Sequence, residues 1–138
     1  MASLEEIRNK LEEFKKSTDK FIISYSEIYS QKAVYLSSVS DKIYIHPEGF
    51  LEFKGIGYEG MFFKKALEKL EVEPQIIRHG KFKSAVEPFM LEKMSDSNRK
   101  QVQRFISSIW ENLKLGVSKG RNLSDEKLDN IAENFLAQ

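Results

Sequence analysis

Cysteine is absent from this 138-residue chain, so a disulfide framework and a thiolate metal site are both excluded. Its absence does not separate a reducing from an oxidising compartment. Net charge is nearly absent too. Lys and Arg number 22 against 21 Asp and Glu, leaving +1, and nothing concentrates a basic face of the kind phosphate binding needs. Nucleic acid is therefore not an expected partner. Histidine is scarce: His46 and His79 are the only two, without the His-Glu-x-x-His spacing of a zinc site. No metal and no cofactor are expected. No run of about 18 apolar residues occurs, so nothing in the sequence reads as a membrane span. The start, Met1-Ala2-Ser3-Leu4-Glu5-Glu6, lacks the basic-then-apolar order of a secretory signal. If the natural protein is exported, its targeting segment is expected outside this chain. Internal repeats and low-complexity tracts are also missing.

What remains is ordinary globular composition, 41% hydrophobic and 31% charged, long enough for one domain with a real core. Ser3-Leu4-Glu5-Glu6 has the form of a capping box, and Leu4, Ile7, Leu11 and Phe14 follow at helical spacing, which predicts a helix from Leu4 to Lys16. Lys20–Tyr25 is an apolar run of the buried-strand type. Ser30–Ser40 carries a weak helical pattern. Asp41–His46 alternates as a strand ending at Pro47, Glu48-Gly49 reads as a turn, and Phe50–Phe53 as a further short strand. Met61, Phe62, Ala66, Leu67 and Leu70 predict a helix over Tyr58–Leu70, stopped by Pro74, with a strand over Gln75–His79. Ser95 is placed to cap a long helix reaching Gly116, whose stripe is Val102, Phe105, Ile106, Ile109, Trp110 and Leu113. Ser124 caps a last helix carrying Leu128, Ile131, Ala132 and Phe135. Strands alternating with helices argue for an α/β layer arrangement. With a helix at each end and no outer strand, the chain reads as a piece cut from a larger α/β unit.

Gly80-Lys81-Phe82-Lys83-Ser84-Ala85-Val86-Glu87-Pro88-Phe89 is a poor helix interior and a poor strand, and reads as an ordered loop opening on a long cation. Pro88 would hold the backbone extended, with Glu87 available to an ion pair. Alone, such a lysine is most simply a solvated loop charge. To act as a base its pKa must fall from ~10.4 toward neutrality, through burial or a nearby cation; Arg78, His79 and Lys81 supply a cationic neighbourhood in sequence. A second segment, Gly55-Ile56-Gly57-Tyr58-Glu59-Gly60, fits Gly-x-Gly-x-x-Gly. Gln75 stands where a ribose-binding acid would be expected, so the segment reads as a turn into a helix.

The Lys83 loop, followed by Met94-Ser95, resembles the lysine motif of the signal peptide peptidase A (protease IV) serine peptidases. Ser24–Leu36 with Asp41-Lys42-Ile43 resembles that family's segment around its nucleophile, and the likeness extends over roughly Glu5–Leu115. It implies an α/β, ClpP/crotonase-like fold, present here incompletely as a single partial domain over residues 1–138. It also implies that Lys83 is the general base of a Ser-Lys dyad. Aligned on Asp41-Lys42-Ile43, the nucleophile serine falls on Gln31 and the two glycines after it on Lys32 and Ala33; Ser30 is one position off and points elsewhere. Long members of the family have two homologous halves, the first supplying the lysine and the second the serine, and the first carries a Tyr-Ser-Gln stretch like Tyr29-Ser30-Gln31. The resemblance thus implies the lysine-donating half of a membrane-associated endopeptidase that degrades cleaved signal peptides. Its implied partners are the C-terminal half of the same protein, peptide substrates and further copies in a homo-oligomer, a tetramer in the family. Its implied location is the bacterial inner membrane, catalytic part facing the periplasm or cell exterior. The competing expectation is a non-catalytic assembly module, in which Lys83 only pairs with a carboxylate such as Glu87.

Overall fold

The computed structural model describes residues 2–77 and 83–134. They fall into two compact units: Met1–Gly55 with Trp110–Gln138, and Ile56–Ile109.

In the first unit, helix α1 (Ala2–Ser17) leads to strand β1 (Ile23–Tyr29), helix α2 (Gln31–Ser37) and strand β2 (Lys42–Leu51). The two strands pair in parallel, with α2 as the short crossover. Helix α1 starts before Ser3, so the serine lies inside it and does not cap it. Its buried residue is Arg8, while Ile7 and Phe14 of the anticipated stripe are exposed. The start of β2 is pinned by Asp41, whose Oδ2 accepts from Ile22 N (2.8 Å) and whose Oδ1 pairs with Lys15 (2.9 Å). The Ile22 amide first, and Lys15 second, hold the Asp41 carboxyl below its ordinary pKa.

The predicted turn at Glu48-Gly49 is instead a bulge within one strand, and the two short strands expected there are a single β2. Pairing runs from Ile23↔Lys42 to Ser26↔Ile45, then resumes at Ile28↔Phe50. Glu48 N donates to His46 Nδ1 (3.2 Å) within the bulge. Gly49 is required, because a side chain there would run into the Glu27 and His46 carbonyl oxygens. Strand β1 begins three residues later than its apolar run, and Ile23, Tyr25 and Ile28 are each half or more exposed. A two-stranded sheet offers too little surface to bury them.

Past the second unit the chain returns through the C-terminal part of a long helix, Asp96–Arg121, and a last one, Asp125–Glu133; these are α5 and α6 in chain order. Ser124 caps the last as expected, accepting from Lys127 N. The core of this unit is Tyr35, Phe53, Leu113, Val117, Leu128 and Ala132, with Phe53 and Trp110 rings 5.2 Å apart. Phe135 lies outside the described residues.

In the second unit, helix α3 covers only Lys64–Lys69, against the expected Tyr58–Leu70. In that longer helix the Phe63 N–H would bond to the carbonyl of Glu59; it donates to Pro88 O instead (2.7 Å). Glu71, at φ 55°, then ends the helix. The Gly55–Gly60 segment accordingly does not enter a helix. Gln75–Ile77 is not strand, and the rest of that expected strand, Arg78 and His79, lies outside the described residues. A 3₁₀ turn (Ser84–Val86), helix α4 (Glu87–Met90) and the N-terminal part of α5 complete the unit.

Candidate active-site segments

Lys83 is exposed and sits immediately before the 3₁₀ turn at φ −89°, ψ 73°. Among the described residues it makes no ion pair. Glu87, four positions on, is fully buried (0% exposed). Its Oε1 accepts from Ser95 Oγ (2.6 Å), and its Oε2 from Asn98 Nδ2 (3.0 Å) and Ser95 N (3.2 Å). Ser95 in turn caps α5, its Oγ accepting from Asn98 N (3.2 Å). One carboxylate thereby ties the lysine loop to the first turn of a long helix. Pro88 is not extended: it occupies the first turn of α4, where its fixed φ suits a helix and no N–H is lost. Phe63 and Phe89 stack alongside with centroids 6.0 Å apart. Arg78, His79 and Lys81, the anticipated cationic neighbours, lie outside the described residues.

The second segment belongs to the other unit. Strand β1 ends at buried Tyr29, and Ser30 (φ −66°, ψ 162°) caps α2 through its Oγ, which accepts from Ala33 N (3.4 Å). That hydroxyl serves the helix. Gln31 follows as the first helical residue, and its Oε1 accepts from two consecutive amides, Lys54 N and Gly55 N, both at 2.8 Å. The Gln31 carboxamide thus holds the chain just beyond β2.

Two polar clusters of the first unit had only faint sequence signals. Arg8 (4% exposed) donates Nη1 to Tyr35 O (2.8 Å) and Ser38 Oγ (2.6 Å) and Nη2 to Gly116 O (2.8 Å), pairs with Glu12, and lies 5.0 Å from the Tyr35 ring centre. Its place between Leu4 and Leu11 on one helical face was the available hint. Lys114 (5% exposed) reaches Asp129 (2.9 Å) and Glu111 (3.0 Å), and Trp110 Nε1 donates to Asp129 (3.0 Å). Burial pushes the Lys114 pKa down, yet its two carboxylate partners hold it above the ordinary lysine value. Lys114, and after it Trp110, keep Asp129 below the usual carboxylate range despite partial desolvation. Lysine at an apolar helix position three after one acid is the visible cue for this pair.

Among the described residues no group of three or more His, Asp or Glu is arranged to hold a metal ion. None of the described helices is long and apolar enough to cross a membrane.

The chain is 38% identical to Protease 4 of Haemophilus influenzae over 123 residues, covering 89% of this chain and 20% of that protein. Protease 4 of Salmonella typhi is 36% identical over 126 residues (91% and 20%). The chloroplastic serine protease SPPA of Arabidopsis thaliana is 31% identical over 128 residues (93% and 19%). The chain therefore spans about a fifth of the length of these relatives. The family likeness drawn from the Lys83 loop and the Tyr29–Gln31 stretch is borne out, as is its mixed α/β fold with a small parallel sheet. The sequence pattern of peptidase family S49 matches residues 13–137, and the chain belongs to that family.

Proposed function

We propose that this chain is the lysine-donating part of a serine endopeptidase that works through a Ser-Lys dyad. Lys83 is its general base, and the nucleophile serine comes from a part of the protein outside these 138 residues. The observation that carries this reading is the pairing of an exposed Lys83 with a buried anchor. The amine is open to a partner, while Glu87, Ser95 and Asn98 fix the backbone that presents it. Ser30, the hydroxyl nearest the aligned nucleophile position, is occupied as a helix cap. The names of the relatives, Protease 4 and serine protease SPPA, favour the same chemistry.

In the mechanism, neutral Lys83 Nζ takes the proton from the serine hydroxyl as its oxygen attacks the scissile carbonyl carbon. The C–N bond then breaks, Lys83 returns that proton to the leaving amine, and water hydrolyses the acyl-enzyme. Packing of the serine-bearing part over the exposed loop supplies the desolvation that a lysine needs to act as a base. Cleaved signal peptides as substrates, a homotetrameric assembly and attachment to the bacterial inner membrane facing the periplasm complete the proposal.

The test is peptide hydrolysis by the full-length protein. Lys83→Ala abolishes turnover without loss of folded structure by circular dichroism, because a dyad works as a unit, and Lys81→Ala is mild. Equal activity of wild type and Lys83→Ala overturns the reading. The 138-residue chain assayed alone gives no turnover and no labelling by a serine-directed phosphonate; a phosphonate adduct mapped to Ser30 overturns the outside origin of the serine.

A further inference from the structure

We propose that the consecutive amides of Lys54 and Gly55 form a nest for a carboxylate oxygen, and that the chain keeps this nest filled with its own Gln31 side chain. The convergence is the central observation. Two successive backbone N–H groups aim at one oxygen, Gln31 Oε1, at 2.8 Å each. That is the geometry by which main-chain concavities hold anionic oxygens. Successive amides of an extended strand point in opposite directions, so for both to meet one oxygen the backbone turns at Lys54, between them; Gly55 carries the turn onward at φ +82°, a value readily adopted only by glycine. No atom lies within 4 Å of the position a Gly55 Cβ would take, so glycine is required by the dihedral and not by crowding.

The nest is held from behind. Glu52 N donates to Tyr29 O (2.8 Å), and Phe53, 5% exposed, sits in the core against Trp110. The amides beyond them therefore keep their direction whether or not an acceptor is present. Glu52, two positions before Lys54, has its carboxylate engaged by the Lys54 ammonium (2.5 Å), and the acceptor in the nest is the neutral Gln31 carboxamide. Lys54 is exposed and Gln31 only half-buried, so the site opens to solvent once the side chain is removed. The consequence is a chain that carries an oxygen-binding element in a closed state. The inference does not depend on the role of Lys83, and its test reads different atoms.

The experiment uses the ¹⁵N-labelled chain as wild type, Gln31→Ala, Gln31→Met and Gln31→Glu. Loss of the acceptor in the Ala and Met variants is expected to speed hydrogen exchange at the Lys54 and Gly55 amides about tenfold, with Glu52 N as the internal control. Met keeps the side-chain length, so it carries the test should Ala disturb packing. Gln31→Glu, which retains an acceptor oxygen, keeps both amides protected. Acetate, titrated against chloride at constant ionic strength, then gives saturable shifts of the Lys54 and Gly55 signals in Gln31→Ala or Gln31→Met and none in wild type. Unchanged exchange in Gln31→Met overturns the occupancy by Gln31. Faster exchange without saturable acetate shifts overturns the nest as a ligand site.

Discussion

Glu87→Ala is the perturbation that most directly probes how the lysine loop is held. The wild-type carboxylate is wholly buried and accepts from Ser95 Oγ, Ser95 N and Asn98 Nδ2. Hydrogen bonds to a charged group are worth about 1.5–3 kcal/mol each, but bonds sharing one carboxylate are not additive. Leaving a buried donor without its acceptor costs about 1–3 kcal/mol, and Glu87→Ala leaves several so, in a place water does not easily reach. Glu87→Gln keeps the shape but turns one oxygen into an NH₂ facing Ser95 or Asn98 donors, for about 1–3 kcal/mol. The assay is urea unfolding of the chain followed by far-ultraviolet circular dichroism, comparing midpoints at constant slope. The order wild type, Gln, Ala is expected. In the full-length protein Glu87→Gln lowers kcat while Lys83 itself is untouched, since the amine is presented from a loosened backbone. A Glu87→Ala chain within about 0.5 kcal/mol of wild type, the range of a plain surface change, would refute the anchoring argument.

Two further outcomes follow from the polar clusters of the first unit. Arg8→Met retains the apolar stem but strips Tyr35 O, Ser38 Oγ and Gly116 O of their guanidinium donor; it is expected to destabilise by about 2–4 kcal/mol, read as a lowered thermal midpoint, and an unchanged midpoint would mean these groups are satisfied otherwise. Asp129 has its folded pKa depressed below the ordinary 3.8, chiefly by Lys114, so it adds stability above that pH, and this is lost as pH falls through the folded value. Asp129→Asn should therefore show a flatter loss of stability below about pH 4 than wild type in an acid titration of the thermal midpoint; identical profiles would remove Asp129 as a contributor.

Local signals with a single physical meaning were legible in the sequence. Ser95 and Ser124 are helix caps in the structure as their pattern indicates, since a serine before a periodic segment satisfies amide donors that no other local group reaches. The apolar positions Leu113, Leu128 and Ala132 are buried as their helical spacing indicates, whereas Phe105, on the same predicted stripe as Leu113, is exposed. Family membership was legible from the Lys83 loop and the Tyr29–Gln31 stretch. Other features depended on partners distant in sequence. The Tyr58–Leu70 pattern is helical by periodicity, but the Phe63 amide is taken by Pro88 O, 25 positions away by residue number (88 − 63). Glu48-Gly49 carries turn residues, yet β1 running parallel alongside converts them to a bulge. Arg8 looks like a surface charge until α1 is laid against the Tyr35 and Gly116 carbonyls, which turn a costly buried cation into a bonded one. Gln31 in the sequence gives no sign of its bonding; that its oxygen closes the Lys54–Gly55 amides is decided by tertiary structure, because the end of β2 reaches the start of α2 only once β2 has paired with β1.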